Sequence, residues 1–175
     1  LAWIPYIISS YLRLPSVVRW NHYLLLLAWL LFFPNALYLV TDLIHLDIES
    51  GIPKWFDVIL LFSSSAAGLM MAFISLYRVE QFLHKMAEKR IVSMLIILIL
   101  FLGSFGVYIG RFLRWNSWDI ISNPVRLFNS IAGRIFFPFD HLYTWGVTSV
   151  LTILFYLIYF SAKKLPGYLY RAKSE

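Results

Sequence analysis

No cysteine occurs in the 175 residues, so disulfides, thiolate nucleophiles and thiolate-bound metals have no place in this protein. Charge is scarce as well: 14% of residues are charged and nine are acidic, against 61% hydrophobic and 19% aromatic. The four histidines show no HExxH or HxxxH spacing, which removes the common zinc-hydrolase pattern. Internal repeats and low-complexity tracts are missing too, and with them the paired halves typical of many transporters. A soluble domain of this size could not hide so much apolar surface, and the mean hydropathy is +0.74. The class that remains is an integral membrane protein.

Long apolar runs are what the chain does have. About 20 residues suffice to cross a hydrocarbon core of roughly 30 Å. Five segments can be drawn: one ending near Leu12, then about His22–Leu46, Trp55–Tyr77, Ile91–Phe112 and His141–Ala162. The expected fold is all-α, a polytopic transmembrane bundle of about five spans, forming a single integral membrane domain over residues 1–175. LAWIPYIISSYL at the start reads as the tail of a membrane helix, so N-terminal residues are expected upstream of Leu1. No cleavable signal peptide is visible. The stretch 125–138, with two arginines and too few residues to span, is expected to lie along the interface or re-enter the membrane.

The formal net charge of +6 would point to nucleic acid in a soluble protein. Here its distribution points to orientation instead, and no nucleic-acid partner is expected. Ten of the fifteen basic residues fall in the first loop, the third loop and the tail, with Glu80, Glu88 and Glu175. The intervening loops hold Lys54, Arg111, Arg114, Arg126 and Arg134 with six acids. By the positive-inside rule the first set is cytoplasmic, as is the C-terminus. The sequence carries no signal for oligomeric state.

Polar residues gather at the other, extracytoplasmic level. In FFPNALYLVTDLIHL (32–46), Asn35, Tyr38, Asp42 and His45 follow i, i+3, i+7, i+10, one face of a helix. Pro34 removes a backbone hydrogen bond just before that face. Asp42 and His45 can share a proton or both ligate a metal, and are the candidate catalytic pair. Read structurally, they are interfacial residues wetted at a helix end. Asp57 in WFD (55–57) suits a binding role or, equally, a helix N-terminus where a carboxylate is stabilised. Ser64, Gly68 and Ser75 read as small residues for close helix packing, as do Gly103, Gly106 and Gly110.

The densest motif is GRFLRWNSWD, residues 110–119. Arg111 and Arg114 lie one turn apart and suit a two-pronged clamp for phosphate or carboxylate, with Asn116 and Asp119 beside them. The structural alternative is that both arginines pair with Asp42, Asp57 or Asp119 and hold the bundle together. Asp140 and His141 begin the last span at the same level. Together these residues form the candidate substrate-binding set. A divalent metal held by Asp and His from three helix ends is a weaker reading, and no specific cofactor is implied. His22 and His84 read as ordinary surface histidines on the cytoplasmic side.

FPNALYLVTDLIHL (33–46), WFD (55–57) and YIGRFLRWNSWD (108–119) together resemble an uncharacterised family of bacterial integral membrane proteins, a domain of unknown function. The resemblance extends over most of the chain. It implies several membrane helices, a bacterial plasma membrane and further residues upstream, but no activity. Two readings of function follow. One is an enzyme acting at the outer face on a lipid or cell-envelope substrate with an anionic head group, with His45 or Asp42 as general base. The other is a non-catalytic protein that binds a lipid or small anion, serves as an accessory subunit or forms part of a transporter. Membrane lipids are the expected partners on both.

Overall fold

Each apolar run becomes helical because the hydrocarbon core offers no partner for an unpaired backbone group. The computed structural model describes residues 1–12, 19–47, 53–115 and 119–172, leaving aside the side chains of 45–47, 120, 121 and 166–172. In order come α1 (Trp3–Tyr11), α2 (Trp20–Tyr38), a 3-10 segment (Leu39–Asp47), α3 (Lys54–Leu83) and α4 (Lys89–Phe112). Then follow α5 (Asp119–Ser122), α6 (Pro124–Phe136), a 3-10 turn (Pro138–His141) and α7 (Leu142–Ala172). No strand occurs among the described residues.

Among the described residues, four helical stretches are long and apolar enough to cross a membrane: Trp20–Ile44, Lys54–Leu83, Lys89–Phe112 and Pro138–Leu165. The first segment, expected to end near Leu12 and short as given, is a nine-residue helix packed on α2 and α3. The second span departs from expectation. It is α-helical only to Tyr38 and continues as a 3-10 helix, so the polar stripe does not follow one α-helical face to its end.

The third span outruns its expected end at Tyr77 because its charged residues find partners. Arg78 Nη1 donates to the Tyr6 carbonyl at 3.2 Å, and its guanidinium lies 4.4 Å from the Tyr6 ring centroid. That contact ties α1 to α3. Glu80, only 6% exposed, accepts from Tyr159 Oη and Lys163 Nζ, each at 2.6 Å. It ties α3 to α7, and His84 Nε2 stands 3.7 Å from the same carboxylate.

In lipid, helices associate by van der Waals fit rather than by escape from water, so small residues decide where backbones can meet. Gly106 lies against Pro34: a Cβ there would sit 2.6 Å from Pro34 Cγ. Gly103 faces the Phe33 ring and Leu37 in the same way. From the other side, a Cβ on Gly68 would sit 2.6 Å from Leu39 Cδ1 and 2.9 Å from the Ala36 carbonyl oxygen. The far half of α2 is thus wedged between α3 and α4 on glycines. Trp29, Phe33, Leu37, Leu76, Leu100 and Phe155 fill the core around this wedge. On the far side of α4, Phe101 and Phe105 stack on Trp145 of α7.

Candidate functional site

The backbone change at Tyr38 releases carbonyls that the α-helix would have used, and nearby side chains take them up. Thr41 Oγ1 donates to the Tyr38 carbonyl at 2.6 Å, and Ser65 Oγ of α3 donates to the Leu39 carbonyl at 2.7 Å. Arg111 of α4 supplies the third bond, from Nη2 to the Thr41 carbonyl at 2.8 Å. A cation at a helix C-terminus also meets the negative end of the helix dipole. The irregular backbone therefore persists because three side chains satisfy it.

Arg111 does more than cap. Its Nη1 donates to Asp42 Oδ1 at 3.1 Å and to Tyr38 Oη at 3.1 Å, and its guanidinium lies 5.4 Å from the Tyr38 ring centroid. The Arg111 and Asp42 side chains are 12% and 26% exposed, so the pair is largely shielded and screened less than a surface pair. Of the carboxylates expected beside this arginine, it is Asp42, rather than Asp57 or Asp119, that meets it. Gly110 leaves the Tyr38 ring room against α4, 3.5 Å from where a Cβ would stand.

Arg114 is placed differently. It is exposed and adopts φ 56°, the left-handed region, where a non-glycine residue costs about 1 kcal/mol. This turn ends α4, with Trp115 N donating to the Ile109 carbonyl at 3.3 Å. Arg114 makes no hydrogen bond or ion pair with a described residue, whereas Arg111 is taken up by Asp42. Arg126 of α6 lies over Trp115, 5.9 Å from the ring centroid.

An open cavity of about 690 Å³ runs beside these residues, within the size range of small-molecule sites. Leu27, Leu30, Leu31 and Pro34 of α2 form one wall, and Leu102, Gly106 and Ile109 of α4 form another. The start of α1 and Leu127 and Ile131 of α6 close the remaining sides. Asn35, Tyr38 and Trp115 supply its polar end, where Asn35 Nδ2 also donates to the Phe32 carbonyl at 3.2 Å. It is an apolar groove with a polar mouth.

The other expected residues spread around this end of the bundle. Asp57 lies in the first turn of α3 and is half-buried. Asp119 opens α5 and accepts from Ser122 Oγ at 3.1 Å. Asp140 is exposed and His141 half-buried on the 3-10 turn that packs on α6 and α7, apart from the Arg111–Asp42 pair. Asn116 lies outside the described residues, as does the side chain of His45. Among the described residues no three His, Asp or Glu side chains gather as a metal site would require. Sequence reasoning missed Trp115 and Leu127 as groove residues, and α6 as one of its walls. The amphipathic pattern of α6 was the available signal, since Leu127 and Ile131 share the apolar half of that helix with Val125 and Phe128.

No curated protein and no solved structure matches the chain. Residues 1–158 match the family described as protein of unknown function (DUF1361). That match spans the groove, the Arg111–Asp42 pair and both arginines of the helix-ending turn, and the chain belongs to this family.

Proposed function

We propose that this multi-pass protein sits in a bacterial plasma membrane with its C-terminus cytoplasmic and the Arg111 end extracytoplasmic, where it binds a lipid with an anionic head group. The observation that carries this reading is the groove itself. Its apolar walls suit an acyl chain and its mouth is polar. Arg126 lies over Trp115 of that mouth and Arg114 is the exposed chain neighbour of Trp115, with no carboxylate bonded to either among the described residues. Arg111 contributes little net charge there because Asp42 neutralises it. The same pairing argues against Asp42 as general base. Asp42 Oδ1 is taken up by Arg111 Nη1, which also donates to Tyr38 Oη, so the role of the carboxylate in this reading is to position Arg111 and Tyr38. Binding, rather than turnover, is the function this geometry supports best.

Lipid retention tests it. The protein is placed in nanodiscs containing equal amounts of phosphatidylglycerol and phosphatidylcholine, released, and weighed intact with whatever lipid it keeps. Phosphatidylglycerol is expected to be retained preferentially. Arg114→Gly, which allows the left-handed turn and removes the charged side chain, combined with Arg126→Ala, should bring the two lipids close to parity. Equal retention by the unaltered protein contradicts the reading.

A further inference from the structure

We propose that Tyr38 reads the acyl ester of the bound lipid, donating its phenolic proton to the ester carbonyl at the groove mouth. The proposal rests on the groove reading above and names the chemical class it selects, an O-acyl ester lipid. The argument starts from what Arg111 does to the phenol. Tyr38 Oη accepts from Arg111 Nη1 at 3.1 Å, which occupies a lone pair and leaves the phenol its own proton to give. That proton goes to no described residue. Accepting a bond from a cation also polarises the O–H and makes it a better donor. The ring is held in place by Arg111 across its face and by α4 behind it, and Tyr38 lines the groove.

The depth of Tyr38 selects the ester rather than the phosphate. Read along α2, the groove passes from Leu27, Leu30 and Leu31 to the neutral polar Asn35 and Tyr38, and then the chain reaches charged Asp42. A membrane lipid shows the same order: hydrocarbon, then neutral ester, then charged head group. Arg126 stands over Trp115 at the mouth, where the head group would lie. A neutral donor on the apolar side of Asp42 along α2, beside an arginine whose charge Asp42 neutralises, therefore meets the ester carbonyl. An ether-linked lipid offers no carbonyl there.

The test sets ester-linked phosphatidylglycerol against its ether-linked analogue with the same head group, in equal amounts, in phosphatidylcholine nanodiscs. The unaltered protein should keep the ester form roughly three- to tenfold over the ether form, the worth of one neutral hydrogen bond. Tyr38→Phe keeps the ring and should bring the two forms level, while phosphatidylglycerol stays preferred over phosphatidylcholine. Equal retention of ester and ether by the unaltered protein overturns the proposal, whether or not the variant folds. So does an ester preference that survives in Tyr38→Phe. Loss of the preference over phosphatidylcholine in the unaltered protein overturns the groove reading, and this one with it.

Discussion

Arg111 divides its hydrogen bonds among a carboxylate, a phenol and a backbone carbonyl. Lysine has the charge and three donors, but they diverge from a single nitrogen and lack the planar fork that sets Nη1 on Asp42 and Tyr38 and Nη2 on the Thr41 carbonyl. Removing the guanidinium strands Asp42 and the Thr41 carbonyl in a partly dry site. Arg111→Met should therefore cost about 2 kcal/mol, roughly 5 °C in apparent Tm for a chain of this length. The double variant Asp42→Leu with Arg111→Met removes both charges and should recover at least half of that loss. Thermal unfolding in detergent reads both, and strictly additive losses would count against a coupled pair. The pairing itself was half legible: Arg111 and Asp42 stand out in sequence as charges at an apolar depth, but Asp57 and Asp119 are equally good partners on paper. Asp42 meets Arg111 from within the 3-10 segment that follows Tyr38, and no residue of LYLVTD announces that switch.

At the scale of elements, the glycines of α4 do two different jobs, and the difference is measurable. Gly106 is in tight contact with Pro34, whose ring is rigid and cannot swing aside. Gly106→Ala should force α2 and α4 apart and cost ~2 kcal/mol, as overpacking typically does. Gly110 faces the Tyr38 ring at an ordinary contact distance, so Gly110→Ala should be neutral or slightly stabilising within a helix. Equal effects at the two positions, by apparent Tm, would mean that α2 is not seated as described. The seam was readable because a stripe of small residues on an apolar helix has few other uses. The length of α3 was not. Arg78 and Glu80 look like the edge of a loop, since their partners Tyr6, Tyr159 and Lys163 lie some 70 to 80 residues away in the chain.

For the whole molecule, the two ends of the bundle are built differently, and this ties the proposed site to one face of the membrane. At the Glu80 end the charges are consumed in locks between helices, with Lys85, Lys89 and Arg90 exposed beyond them. At the Arg111 end α6 covers one side of a groove and leaves Val125, Phe128, Ile135 and Phe136 exposed. An apolar stripe on a 13-residue helix suits the interfacial plane, where its arginines can reach head groups. The proposed orientation, with the groove mouth outside, rests on the positive-inside rule, since the richer basic set belongs to the other end. The absence of cysteine from these 175 residues makes this directly testable, since an introduced thiol is the only one among them. Phe139→Cys, at an 85% exposed position of the Arg111 end, should react with a membrane-impermeant maleimide in intact cells. Glu88→Cys, exposed at the opposite end, should react only after the membrane is permeabilised. The reverse pattern would put the groove in the cytoplasmic leaflet, where the same lipid chemistry exists but cell-envelope substrates do not, so the labelling result decides which pool of lipids Tyr38 and the arginines can meet.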